Sequence, residues 1–156
     1  MPSRINMNTE KEIQRVLETS QFTILATQHN GQPHASLMAF IPFDGLRYLI
    51  VATYRNTLKY RNVLKDGRVA MLIDNHIAPG SAGHRNLVLT AHGIASEVTS
   101  SDYKAIEQAY LARHSNLRDF LASPDCVLLR VLISAYEVVG STDDVIWYQV
   151  ADIATG

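Results

Sequence analysis

The sequence predicts a mainly β domain with a few helices, in which six or seven antiparallel strands close into a barrel. Three observations carry this. Short apolar runs recur along the chain, separated by clusters rich in Gly, Pro, Asn and Asp. Two of the separators, Asn30-Gly31 and Asp44-Gly45, are turn pairs, and Asn-Gly in particular accepts positive φ at both turn positions, so the first three strands form an antiparallel meander. That many strands in one small domain expose edges unless the sheet closes on itself.

The elements follow in order. Thr9-Glu10-Lys11-Glu12 fits a capping box, with Thr9 as N-cap, and Ile13, Val16 and Leu17 give the helix that follows one apolar face. This helix is expected to end near Ser20. Phe22 to Thr27, His34 to Ile41 and Arg47 to Thr53 have strand composition. Tyr60, Val63 and Leu64 mark a short helix over Thr57 to Lys65, stopped by Asp66-Gly67. Arg68 to Asp74 is a further strand. Asn75 to Arg85, with Pro79, Gly80, Ser81 and Gly83, lacks periodicity and reads as the longest loop. Asn86 to Val98 reads as a long strand in which Gly93 marks a bulge or a close approach. Ser101 to Arg113 is helical, with Tyr103, Ile106, Tyr110 and Leu111 on one side, and Leu117 to Leu121 adds a turn. Val127 to Val139 is a strand interrupted or bent near Ser134, and Val145 to Val150 is the last.

Composition bounds the function. The 156 residues suit one domain with a full core. A formal net charge of −1 argues against a general nucleic-acid or anionic-membrane binder. No apolar run approaches the length of a membrane span. Met1 to Asn6 lacks the apolar core of a signal peptide, so the expected location is the cytoplasm. Cys126 is the single cysteine; it can form no internal disulfide and reads as a small packing residue.

The most informative segment runs from Thr53 to Asn62. It hands a buried strand over to a helix through hydroxyls and the cations Arg55, Lys59 and Arg61. A helix N-terminus presents free N–H groups and a favourable dipole to an anion, Thr53 and Thr57 add hydroxyl donors, and Arg55 and Lys59 add charge-assisted bonds. The pattern suits a phosphate, although Asn56 or Thr57 also serves as an ordinary N-cap. The histidines, His29, His34, His76, His84, His92 and His114, form no HxH or HExxH pair, so no metal site is expected. There is no nucleophile elbow, no GxGxxG and no P-loop. A phosphate cradle without catalytic machinery of its own suits a protein whose cofactor carries the reactivity. Backbone amides along Ser36-Leu37-Met38-Ala39-Phe40 can hydrogen-bond a planar heterocycle, and Trp147 can cover a flat ring or serve as a core anchor.

These residues, taken in order, resemble a family. Leu25-Ala26-Thr27, Asn30-Gly31-Gln32-Pro33-His34-Ala35-Ser36-Leu37, Asp44-Gly45, Ala52-Thr53, Thr57-x-Lys59-x-x-Asn62-x-Leu64, Arg68 to Asp74 and Tyr136-x-Val138-Val139-Gly140 are similar to the pyridoxamine 5′-phosphate oxidase-like, FMN-binding split-barrel family. The resemblance runs from about Glu10 to Tyr148. It implies a single FMN-binding domain over residues 1–156, built as a six- to seven-stranded antiparallel split β-barrel of Greek-key type with peripheral helices. It also implies a homodimer with FMN at the subunit interface. Thr57 and Lys59 match the positions that hold the FMN phosphate, and Thr53 ends the strand lining that pocket. Ser36, Leu37 and Met38 match the strand along the isoalloxazine ring. Asn75 and His76 are expected to approach the site, that of the partner subunit.

The sequence departs from the authentic oxidases in three places. Ser36 replaces a phosphate-binding arginine, for which Arg55 or Arg61 can substitute. Leu87, Val88 and Leu89 replace polar cofactor contacts, and the C-terminal Arg-x-His substrate motif is missing. The expectation is therefore an FMN-dependent oxidoreductase acting on a small planar substrate, not the vitamin B6 oxidase. The alternatives are a non-catalytic flavin carrier or sensor, and a heme-binding or heme-degrading barrel with His76, His84 or His114 as iron ligand.

Overall fold

The structure is a computed structural model that describes residues 2–75, 86–99, 101–140 and 144–150, with side chains from residue 8 onward. It opens on helix α1 (Pro2–Thr19), followed by the meander β1 (Phe22–His29), β2 (Gln32–Phe43) and β3 (Tyr48–Tyr54). Helix α2 (Leu58–Lys65) leads to β4 (Arg68–Asp74) and β5 (Val88–Glu97). Helix α3 (Tyr103–Arg113), a 3₁₀ turn (Ser115–Leu117) and α4 (Arg118–Ala122) precede β6 (Cys126–Val139) and β7 (Val145–Gln149).

Both expected turns form. Asn30 and Gly31 have φ of 51° and 77°, and Asp44 and Gly45 have 59° and 68°. The helix start is corrected: α1 begins at Pro2, not at Thr9, which lies buried inside the helix. Thr-x-x-Glu is also an i, i+3 spacing of the helix interior, and a proline is tolerated at the first helical position.

The strands are ordered β3-β2-β1-β4-β5-β6-β7, and β3 also pairs with β6, so six strands close a barrel and β7 extends it. All pairings are antiparallel. Closure rests on β6. Its residues Cys126–Leu132 pair with β3, and Ala135–Val139 pair on that side with β7. The expected break near Ser134 is a bulge within a continuous strand: His92 faces Ala135 and Gly93 faces Ile133, so Ser134 has no opposite residue. The Ser134 hydroxyl donates to the His92 carbonyl over 3.1 Å. At Gly93 a Cβ would lie 2.3 Å from the Leu132 carbonyl oxygen, so only glycine fits.

Alternate residues of the barrel strands, among them Leu25, Met38, Phe40, Val51, Met71, Leu89 and Leu129, form the main core with Ile13, Val16 and Leu17 of α1 and Tyr60 and Val63 of α2. A second core lies outside the barrel, where Ile41, Ile50, Ala52 and Leu128 pack against Ile106 and Tyr110 of α3 and Leu121 of α4. Cys126 is a free, buried packing residue of this second core. Arg113 ties α3 to α1. Its guanidinium donates to the carbonyls of Leu17 and Glu18, each over 2.9 Å, and to that of Ser20, which satisfies the end of a helix that lacks intrahelical partners. No helix among the described residues is long and apolar enough to cross a membrane.

Candidate functional site

The site lies where β2 and β3 part. Residues Gln32–Ala39 of β2 pair with β1, and only Phe40–Phe43 pair with β3. On its side β3 pairs with β2 over Tyr48–Val51 but follows β6 as far as Tyr54. Leu37, Met38 and Ala39 thus separate from Ala52, Thr53 and Tyr54, and these six residues are two walls of a cavity of about 250 Å³. Thr57 and Lys59 line it at the start of α2, and Tyr110, Leu117 and Phe120 close it from the helical side.

The carbonyls near the parting point are met by α3 and the residue after it. The Tyr110 hydroxyl donates to Ala39 O over 3.2 Å, and His114 Nε2 lies 2.8 Å from Phe40 O as its donor. The two rings lie in contact, tilted by 49° with centroids 5.1 Å apart. Burial raises the Tyr110 phenol above its ordinary pKa. Burial, with the Arg113 charge adding to it, lowers that of His114 despite the Phe40 bond.

At the other end of the cavity Thr57 is the N-cap of α2. Its Oγ1 accepts the Tyr60 N–H over 3.4 Å and donates to Tyr54 O over 2.8 Å. The buried Thr53 hydroxyl lies 3.1 Å from it. Lys59, one helical residue inside, is half-buried, and burial lowers its pKa. Among the described residues Lys59 has neither hydrogen bond nor ion pair. The cavity therefore joins a helix N-terminus, two hydroxyls and an unpartnered cation to an apolar slot. That arrangement can hold a phosphate at one end and a flat ring between the parted strands.

Of the residues expected from the sequence, Leu37, Met38, Thr53, Thr57 and Lys59 come together here. Arg55 does not line the cavity. Its guanidinium pairs with Glu97 at 3.0 Å and donates to the Tyr60 hydroxyl at 3.3 Å. Ser36 precedes the wall and its Oγ lies 3.2 Å from His34 Nε2. Asn75, fully buried, accepts from the hydroxyls of Thr19 and Ser20 at the end of α1. Trp147 sits on β7, beside the end of β6 that β3 leaves free, with its ring 5.2 Å from that of His92. His76 and His84 lie outside the described residues. Sequence reasoning missed Tyr110, Leu117 and Phe120. The signal was available in Ile41, Ile50 and Ala52, outward-facing apolar residues that require a covering helix.

Residues 9–140 match the family model described as Pyridoxamine 5′-phosphate oxidase. A pyridoxamine 5′-phosphate oxidase homolog from Schizosaccharomyces pombe is 32% identical over 83 residues, 47% of this chain and 44% of that protein. The match therefore spans less than half the length of that curated relative. The heme binding protein from Mycobacterium smegmatis is similar in structure with a TM-score of 0.78 at 17% identity, over 90% of this chain and 57% of that one. An FAD-binding protein from Mesorhizobium loti has a TM-score of 0.67 at 20% identity, over 81% and 88% of the two chains. At these identities the structural likenesses establish the fold.

Proposed function

The chain belongs to the pyridoxamine 5′-phosphate oxidase family, and from that footing we propose that it binds FMN in the cavity between β2 and β3 and acts as a flavin-dependent oxidoreductase on a small planar substrate. The observation that carries the reading is Lys59, a half-buried cation without a partner among the described residues, beside two hydroxyls at a helix N-terminus.

The residues fit the cofactor in two respects. Lys59, Thr53, Thr57 and the first N–H groups of α2 suit a phosphate monoester. The slot between Met38 and Ala39 on one strand and Ala52 and Thr53 on the other suits a flat ring, and Tyr110 backs it. FMN supplies hydride or electron transfer when bound. The chain's own residues bind and orient it: Lys59 fixes the phosphate end, the parted strands hold the ring edge, and Leu117 and Phe120 exclude water on the helical side.

The active form in this reading is a homodimer. Leu37, Ile24 and Leu72 stand side by side on three adjacent strands and are 75%, 39% and 38% exposed. Ala35, Ala26 and Ala70 form the neighbouring row. A second copy laid on this smooth apolar face removes it from water and completes the cavity beside Leu37.

An absorbance spectrum of the purified protein, before and after adding FMN, tests the reading. Flavin bands shifted from those of free FMN support it, and turnover with NAD(P)H and common acceptors then separates an enzyme from a carrier. A protein that leaves the FMN spectrum unchanged overturns it, and hemin is titrated next.

A further inference from the structure

We propose that Glu97, a residue outside the cavity, is the positioning residue of its anion-binding end. The proposal rests on the reading of that end as an anion site. Glu97 is the last residue of β5. Its Oε1 accepts from Arg55 Nη1 at 3.0 Å, and its Oε2 accepts from the Tyr60 hydroxyl at 2.9 Å. Arg55 and Tyr60 flank the cradle in sequence, one in the turn before Thr57 and one in the first turn of α2. One carboxylate thus grips both sides of the loop that carries Thr57 and Lys59. The Arg55 guanidinium closes the triangle by donating to the Tyr60 hydroxyl at 3.3 Å, while its backbone N–H is anchored to Asp125 O at 3.0 Å.

Two consequences follow for the ligand. The start of α2 is fixed before an anion arrives, so binding does not have to order it. The second cation of the segment is also withheld: Arg55 is neutralised by Glu97, and among the described residues Lys59 is the cation left to face the cavity. The side chains of Arg55 and Glu97 are partly exposed, so the ion pair adds little to global stability and its effect is on loop geometry.

The test compares FMN with riboflavin, which differ by the phosphate alone. Fluorescence titrations of wild type, Glu97→Ala, Glu97→Gln and Tyr60→Phe give the preference for FMN over riboflavin. Glu97→Ala should lower that preference about tenfold, the scale of one charge-assisted hydrogen bond, with riboflavin affinity unchanged. Glu97→Gln and Tyr60→Phe each keep part of the network and should lower it less; they read the same ratio if the alanine variant fails to fold. An unchanged ratio in these variants, a parallel loss of riboflavin affinity, or tighter FMN binding by Glu97→Ala overturns the proposal. Inorganic phosphate is titrated in parallel, read by the amide resonances of Thr57 to Lys59. Phosphate bound by wild type and lost in Glu97→Ala, with no flavin bound by either, upholds the positioning role and overturns the flavin reading. A wild type that responds to neither overturns both.

Discussion

The Thr53 hydroxyl lies 3.1 Å from the Thr57 hydroxyl, and Thr57 in turn caps α2. The last residues of a strand and the first of a helix are thereby joined at the mouth of the cavity. Thr57→Val keeps the shape and removes the bonds. It should cost about 1 kcal/mol of stability, the usual worth of an N-cap, and weaken FMN binding as well. Urea unfolding and flavin titration check the two effects separately. A variant as stable as wild type shows that the cap contributes nothing.

Lys59→Ala removes the cation. FMN affinity should fall by about 1.5–3 kcal/mol, as for a hydrogen bond to a charged group, with riboflavin affinity unaffected. Isothermal titration of both ligands measures this. Unaltered FMN affinity places the phosphate elsewhere.

Ile24→Glu puts a charge in the middle of the Leu37–Ile24–Leu72 row without touching the cavity wall. The substitution occurs twice in a two-fold dimer, so association should weaken by about 3 kcal/mol or more. Sedimentation velocity at micromolar protein should show a dimer for wild type and a monomer for the variant. Equal sedimentation of the two moves the interface to another face.

Gly93→Ala adds a Cβ at 2.3 Å from the Leu132 carbonyl oxygen and 2.9 Å from Val131 Cγ1. The nearest obstacle is backbone, so a strand must move. The loss should be about 3 kcal/mol, at the upper end of overpacking costs, read as a lower urea midpoint. A midpoint within experimental error of wild type shows that the bulge opens freely.

His114 is 5% exposed, and its pKa is depressed below the ordinary 6.5 by burial, with the Arg113 charge adding to it. Between the two values the unfolded chain binds more protons than the folded one. Stability should therefore decline as pH falls below about 6.5 and level off once the folded-state value is passed. Urea midpoints measured from about pH 8 to about pH 5 for wild type and His114→Gln isolate the contribution. Identical slopes assign the pH dependence to other groups.

Much of the fold is legible because its signals are local. Asn30-Gly31 and Asp44-Gly45 adopt the positive φ that these residue types accept most readily, and Gly93 is the close approach its place inside a strand implied. The start of α1 is not legible, since Thr9 and Glu12 are spaced alike in a capping box and within a helix. Thr53, Thr57 and Lys59 are close in sequence, so their meeting at one cavity reads directly. Its far wall does not: Tyr110, Leu117 and Phe120 reach the cavity only once α3 and α4 pack on β2, β3 and β6. Arg55 lies in the expected segment, but nothing local reveals that Glu97 of β5 takes its guanidinium.

The shared edge of β6 has a consequence for the order of assembly. The barrel closes through β3 against Cys126–Leu132, segments from opposite halves of the chain. During synthesis the meander emerges first and waits with the edge of β3 uncovered. Helices α3 and α4 lie between it and its missing partner in the chain, and in the folded protein they cover Ile41 and Ile50 on the face of the sheet. Closure is a long-range pairing of the kind that slows folding. The helices that wall the cavity pack on Ile50 and Ala52 of β3 and on Leu128 of β6, so they also span the seam at which the barrel closes.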